Sequence, residues 1–115
     1  MPYAVVVHPN SEIHFIESPL TLDLIQSVTD IDVVASIPLE HSIEALFDDE
    51  GAVNESLPPN VLSTFGVLNL GYDAEDIIGG WLSGSVLFAA KVDEDGQRPE
   101  LTDEQWTVLR ALIGF

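Results

Sequence analysis

The sequence predicts a single α+β domain spanning residues 1–115. We expect a mostly antiparallel sheet, one short helix after the first hairpin, and a C-terminal helix packed on the sheet. Three observations lead to this fold class. The chain has 115 residues of which 46% are apolar, which suffices for one core. Its strand patterns are joined by hairpin-length connections, and an amphipathic pattern with helix caps ends it.

The first elements in order are a hairpin and a helix. Residues 3–8 (YAVVVH) are rich in β-branched side chains and end at a Pro-Asn turn, which is typical of a strand. Residues 13–16 (IHFI) are expected to pair with it. Ser18 followed by Pro19 resembles a helix N-cap with proline in the first turn, so we predict a short helix over residues 20–28.

The middle of the chain predicts two more strands and a turn of helix. Residues 31–37 (IDVVASI) and 43–47 (IEALF) both alternate apolar and other side chains, as half-buried strands do. Residues 48–51 (DDEG) have the composition of a turn, and residues 52–53 are expected to return as a brief strand. Residues 61–65, after a double proline, are expected to form a helical turn.

The last third predicts a buried strand and the clearest helix. Residues 85–90 (SVLFAA) form a continuous apolar run that follows bend-forming glycines, and residues 92–100 form a polar loop. Thr102 and Gln105 have the spacing of a capping box, and Gly114 is a stop signal. The apolar stripe between them consists of Trp106, Leu109, Leu112 and Ile113.

The charge is the unusual property of this composition. The sequence contains twenty Asp and Glu residues and three Lys and Arg residues, which gives a formal net charge of −17. A nucleic-acid binder gains affinity by neutralising phosphates with basic side chains, so direct nucleic-acid binding is excluded. The same field repels anionic membrane surfaces and attracts proteins with basic surfaces.

Other sequence signals narrow the class of protein. The chain contains no cysteine, which excludes disulfides and thiolate metal sites. We find no signal-peptide pattern, and prolines and glycines interrupt the longest uncharged runs, so we expect neither secretion nor a membrane helix. The expected location is the cytoplasm.

Two acidic triplets are the candidate contact residues. They are Asp48, Asp49 and Glu50, and Asp93, Glu94 and Asp95. A calcium-binding EF-hand loop needs acids at alternate positions and a glycine at the sixth, whereas here a glycine follows each triplet directly. We therefore interpret both as turns whose charge is available to a protein partner, and we predict no metal site there.

The histidines and serines give little support for catalysis. His8 and His14 would lie on neighbouring strands of the first hairpin, where two imidazoles could approach a metal, but exposed or turn histidines such as His41 are the usual case. Ser83 lacks the spacing of a nucleophile elbow. We predict no catalytic residue, no cofactor and no enzymatic activity.

A series of motifs resembles a known family. In order they are IDVVASIPL, LFDDEGAVNESLPPN, DAEDIIGGWLSGSVLF and DEDGQRPELTDEQWTVLRALI. Together they resemble a small uncharacterised domain family, a domain of unknown function common in bacteriophages, plasmids and Gram-positive bacteria. The resemblance implies a phage or mobile-element context, and with it a location in the cytoplasm of the host cell. The family has no established activity, so the resemblance supplies no catalytic residues.

Three functions remain open. The first is a protein-binding module that captures a basic host surface, in its sharpest form a DNA mimic that inhibits a host DNA-handling or defence protein. Such a mimic could use strand carboxylates, because same-face side chains are about 6.6 Å apart. The second is a halophile-adapted protein whose acidity serves solubility. The third is a small-ligand binder that uses Trp81 as a pocket wall. An exposed edge strand could also pair two copies.

Overall fold

A computed structural model describes residues 1–29, 34–48, 57–77 and 81–115 of the chain. These residues form the expected α+β domain around one antiparallel sheet of five strands. Several predictions lie outside the described residues: the first half of the strand predicted over 31–37, the turn at 49–51, the strand at 52–53 and the glycines at 79–80. The structure therefore does not test them.

The helices and strands have the following bounds. The strands are β1 (Ala4–Val7), β2 (Ile13–Ile16), β3 (Val34–Pro38), β4 (Ile43–Asp48) and β5 (Val86–Ala90). The helices are α1 (Leu22–Thr29), α2 (Val61–Asn69) and α3 (Asp103–Ile113), with short 3₁₀ turns at Glu40–Ser42 and Ala74–Asp76.

The last strand in sequence lies at the centre of the sheet. The strand order is β2-β1-β5-β4-β3, so β5 lies between the β1–β2 hairpin and the β3–β4 hairpin. Leu87 is paired with Val6 on one side and with Leu46 on the other. All five residues of β5 are buried, as expected of a central strand covered on both faces.

Helices cover both faces of the sheet and divide the core in two. Ile25 of α1 belongs to one buried cluster with Val6 and Leu87. Leu109 of α3 belongs to the other, together with Phe88 and with Val67 of α2. The prediction that the C-terminal helix packs on the sheet is therefore confirmed, and the molecule has helix, sheet and helix layers.

The capping chemistry of α3 is also confirmed. The Thr102 hydroxyl accepts a hydrogen bond from the backbone N–H of Gln105 at 3.1 Å, and the Gln105 side-chain oxygen accepts one from the N–H of Thr102 at 2.9 Å. Gly114 ends the helix at a φ of 86°, in the left-handed region that glycine adopts at little cost.

The predicted bounds of the other two helices need correction. The helix expected from residue 20 begins at Leu22, because Thr21 rather than Ser18 caps it by accepting a hydrogen bond from Leu24 N–H at 3.1 Å. The helical turn expected at residues 61–65 begins where it was predicted but is a helix of nine residues. It continues through Gly66, whose backbone lies close to the ring of Phe88.

The side chain of Asn60 joins three parts of the fold. Its Nδ2 donates to the carbonyl oxygens of Val7 and Gly84 at 2.8 and 2.9 Å, and its Oδ1 accepts from Ser63 N–H at 3.1 Å. The residue is fully buried. It therefore connects the end of β1, the turn before β5 and the first turn of α2 with one amide.

Replacing Asn60 by alanine tests this connection. We expect Asn60→Ala to lower the free energy of unfolding by about 3 kcal/mol, because it removes the helix cap and leaves two buried carbonyls unpaired. Denaturant titration followed by circular dichroism measures the loss.

The matched control is Asn69→Ala in the same helix. Asn69 is exposed, and its amide donates to the carbonyl of Phe65 in the same helix at 2.8 Å. Its replacement should change the stability by less than about 0.5 kcal/mol. Equal losses in the two variants would show that Asn60 acts as an ordinary helix residue.

Candidate functional site

The carboxylates of the described residues lie almost entirely on the surface. Every described Asp and Glu is exposed except Glu44 and Asp48, which are half-buried. Among the described residues, no Asp or Glu is buried. Their charge is therefore displayed outward, and its distribution over the surface decides what it can contact.

The structure places Asp48 of the first acidic triplet and Asp93 of the second at opposite ends of the sheet. Asp48 ends β4 beside the start of β5, whereas Ile43 at the other end of β4 is paired with Ala90. Asp93 follows Ala90, so about 17 Å of strand, at about 3.3 Å per residue, separates it from Asp48. Asp49 and Glu50 lie outside the described residues. Asp48 and Asp93 therefore do not belong to one contact surface.

The second triplet forms a turn, as predicted. The Asp93 carboxylate accepts hydrogen bonds from the N–H groups of Asp95 and Gln97 at 2.9 and 3.0 Å, and Gly96 has a φ of 77°. Asp93 thus holds the loop, while Glu94 and Asp95 are exposed. The turn chemistry and the surface charge coexist in one segment.

Backbone contacts bring more acids to the same end of the sheet. Leu101 N–H donates to the Pro2 carbonyl at 3.0 Å, and the Gln105 amide donates to the carbonyls of His41 and Ser42 at 3.0 Å. The first bond fastens the end of the loop after β5 to the residues before β1, and the other two fasten the start of α3 to the 3₁₀ turn before β4. We call the resulting surface the acidic end. Its members are Glu40, Asp93, Glu94, Asp95, Glu100, Asp103 and Glu104.

Most of these residues were missed by sequence reasoning. Glu40, Glu100, Asp103 and Glu104 belong to no acidic triplet, and they join the surface only because the sheet brings their connections together. The capping box did carry a signal, since it places Asp103 and Glu104 at a helix start directly after the polar loop. All of these carboxylates belong to loops or helix termini, not to a strand face.

Cationic groups offset part of the charge of the acidic end. The N-terminal nitrogen of Met1 lies 3.7 Å from Glu100 Oε2, and the exposed Lys91 directly follows β5. Seven carboxylates against these two cations leave the acidic end negative.

Arg98 and His41 add little to this neutralisation. Arg98 is half-buried, and its Nη1 contacts Glu44 Oε1 at 2.5 Å and the Ala90 carbonyl at 2.9 Å. The Arg98 guanidinium therefore forms its ion pair with a carboxylate outside the acidic end. His41 Nδ1 lies 3.1 Å from Glu104 Oε1, and both side chains are exposed, so this pair contributes little in water.

A groove adjoins the acidic end. It has a volume of about 520 Å³ and lies between the loop after β5 and the start of α1. Leu22 and Val92 line it and are 59% and 42% exposed, and Asp93 and Glu100 stand at its edge. The groove can therefore accept an apolar side chain next to negative charge.

The opposite end of the sheet holds a pair of histidines. His8 Nε2 and His14 Nδ1 are 3.4 Å apart, and the two rings meet edge to face with centroids 4.8 Å apart. His8 Nδ1 lies 2.6 Å from Ser85 Oγ. The approach of the two imidazoles, which the hairpin made conceivable, is present in the structure.

The environment of His8 favours its neutral form. Partial burial lowers the pKa of His8 below its ordinary value of 6.5, and repulsion from His14 lowers it further, while the Glu12 carboxylate opposes both. His8 is thus an uncharged donor–acceptor near neutral pH, next to a second imidazole.

A third concave region lies beside Trp81. A cavity of about 280 Å³ is lined by Ile37, Phe47 and Leu82, with Tyr72 and Trp81 at its wall. Burial and the carboxylates of Asp76 and Asp73 raise the pKa of the Tyr72 hydroxyl. Trp81 is 42% exposed and contacts the ring of Phe65, so it belongs to the surface rather than to the core.

Two searches of the described residues were negative. No group of three or more His, Cys, Asp or Glu side chains within the described ranges is placed to hold a metal ion. None of the helices described here has the length and hydrophobicity needed to cross a bilayer.

Comparison of the chain with protein-family models, curated proteins and solved structures gives no significant match in any of the three. The resemblance to a phage- and plasmid-borne domain family therefore stays a prediction.

The titration of His8 tests the environment of the histidine pair. We expect the NMR titration of its ring protons to give a pKa below 6.5, and His14→Gln to raise that pKa by removing a repulsive neighbour. A His8 pKa of 6.5 or above in the wild-type chain would contradict the partial burial of His8 and its proximity to His14.

The same shift has a consequence for stability. The unfolded chain binds the His8 proton more readily, so the His8 contribution to the free energy of unfolding is lost as pH falls from about 7 through the folded-state pKa. The stability of the wild type minus that of His8→Gln should therefore decrease over this range. The carboxylates common to both proteins cancel in this difference.

Proposed function

We propose that the protein is a non-enzymatic binding module that captures a basic surface of another protein with its acidic end. The observation that carries the proposal is the convergence of exposed carboxylates from three separate segments on one end of the sheet, with Arg98 committed to Glu44. Such a concentration of one sign raises the rate of encounter with a cationic partner and disfavours anionic ones.

The groove adds specificity to this charge. A purely electrostatic contact discriminates poorly, whereas a buried apolar anchor supplies much of the energy of most protein interfaces. Leu22 and Val92 offer an apolar floor beside Glu100. The partner that fits is a basic segment with a protruding apolar side chain among its lysines and arginines.

In its sharpest form the proposal is mimicry of DNA. Proteins that handle DNA carry basic clefts evolved for phosphates, and a folded anionic surface can compete for them. The carboxylates of the acidic end are held by the loop after β5 and the first turn of α3, so mimicry would depend on these segments. An inhibitor of a host DNA-handling or defence protein, encoded by a phage or mobile element, is consistent with this chemistry.

A pull-down with matched charge variants tests the proposal. The test variant combines Glu94→Gln, Asp95→Asn and Glu100→Gln, which removes three charges from the acidic end. The control combines Glu12→Gln, Glu75→Gln and Asp76→Asn, which removes the same charge elsewhere on the surface. Asp93 is left intact because it holds the turn.

We expect the wild type and the control to capture the same basic protein from the host lysate. The acidic-end variant should bind it about tenfold more weakly, since exposed interface charges contribute up to about 1 kcal/mol each. Duplex DNA should displace the captured protein. Mimicry is rejected if no DNA-handling protein is bound, or if DNA leaves the complex intact, and the acidic end is rejected if both variants bind alike.

A small-ligand role is the second candidate, and the cavity beside Trp81 favours it. Its wall combines Trp81 and Tyr72 with the carboxylates of Asp48 and Asp76, a set that suits a flat cationic amine. A panel of cations that carry an aromatic ring and are protonated at neutral pH, such as benzylamine and benzamidine, should change the tryptophan fluorescence saturably. The change should disappear in Trp81→Phe and persist in Trp106→Phe. Absence of a saturable change at millimolar amine contradicts this function.

A further inference from the structure

The histidine pair has the spacing of two ligands on one metal ion. His8 Nε2 and His14 Nδ1 are 3.4 Å apart. Two nitrogens bound to a tetrahedral metal at about 2.0–2.1 Å lie about 3.3 Å from each other. We propose that His8 and His14 form a two-imidazole binding site for zinc or a similar divalent transition metal, with water completing the coordination.

The hairpin holds both imidazoles in place. His14 lies in β2 opposite Val6 of β1, and His8 follows directly after β1. The backbone N–H of His8 donates to the Glu12 carbonyl at 2.9 Å, and Ser11 N–H donates to the His8 carbonyl at 2.9 Å. The turn between the histidines is therefore hydrogen-bonded, and the site needs no rearrangement of the backbone.

Ser85 supplies the outer contact that metal-bound histidines usually have. Its Oγ lies 2.6 Å from His8 Nδ1, at the start of the central strand. When Nδ1–H donates to this hydroxyl, the lone pair of Nε2 is left for the metal, and the ring is fixed in orientation. Ser85 is a positioning residue because it would act through His8 and not on the ion.

The surroundings leave room for exchangeable ligands and favour positive charge. The two histidines line an open cleft together with Pro9, Asn10 and Glu12. The Glu12 carboxylate and the net charge of −17 both attract a dication to this cleft. Imidazole nitrogens select zinc, nickel or copper, whereas calcium and magnesium prefer oxygen ligands.

Zinc binding to chelator-treated full-length protein tests the proposal. NMR of the three histidine rings during a titration with ZnCl₂ should show saturable one-to-one changes at His8 and His14 and none at His41. Isothermal calorimetry of the same titration gives the dissociation constant. MgCl₂ at the same concentrations should leave the rings unchanged.

Three variants separate the site from general attraction of cations. His14→Gln should weaken zinc binding at least tenfold, and Ser85→Ala should weaken it about tenfold, as loss of an outer-shell partner does. His14 is exposed on an edge strand, so its replacement keeps the fold, which circular dichroism verifies. The variant of Glu94, Asp95 and Glu100 should bind zinc as the wild type does.

The proposal is overturned if His14→Gln binds zinc as tightly as the wild type. It is equally overturned if neutralising the acidic end removes the binding, because zinc would then be held by surface carboxylates. A titration that moves all three histidines together would have the same meaning. None of these results depends on whether the acidic end binds a protein.

Discussion

The structure depends on the burial of β5, the strand that joins the two hairpins into one sheet. Val86–Ala90 is buried along its whole length, and it pairs with β1 on one side and β4 on the other. The strand follows both hairpins in the chain, and its pairing with each of them makes one sheet of the two. Asn60 couples this step to a helix, because its amide bonds the carbonyls at the end of β1 and just before β5. Long-range pairing of this kind carries a large loop-closure entropy, and the continuous apolar side chains of β5 provide the compensating burial.

The same arrangement decides where polar chemistry can lie. Since α1 covers one face of the sheet, and α2 and α3 cover the other, neither face is free to carry charge. The carboxylates are consequently displaced to the connections at the ends of the strands. One end collects the acids of the loop after β5 and of the start of α3, and the other collects His8, His14 and Ser85. Glu44 is an exception, because it is a half-buried carboxylate within a strand. It forms an ion pair with the half-buried Arg98, as a charge near the core must be paired.

Local patterns in the sequence predicted the elements well where the chemistry is local. The first hairpin, β5 and the capping box of Thr102 and Gln105 each depend on residues close together in the chain, and all were predicted. The start of α1 was wrong because two adjacent segments both carry cap-forming residues, and the hydroxyl of Thr21 is the one that reaches a helical N–H. The end of the helix α2 was underestimated because the helix continues through Gly66, a weak helix former that packs against Phe88, a residue distant in sequence.

The candidate site shows the same difference between local and long-range contacts. The turn at Asp93 was predicted from its own residues. The strand order, in contrast, separates Asp48 from Asp93 and brings Glu40 to the same end of the sheet as Glu104. No local pattern in the sequence encodes that order.

The two ends of the sheet are far enough apart to act independently. The strands between them span about 17 Å at about 3.3 Å per residue, while the Debye length at physiological ionic strength is about 8 Å. Charge placed at the histidine pair is therefore largely screened before it reaches the exposed carboxylates beyond Ala90. A dication held by His8 and His14 would leave the field of the acidic end nearly unchanged, and a basic protein bound at the acidic end would not exclude the dication. At low salt the Debye length grows past the length of the sheet, and the two ends then repel or attract the same ions together. The independence of the two surfaces is thus a property of the sheet's length and of the salt around it, and it is this property that allows each to be altered without disturbing the other.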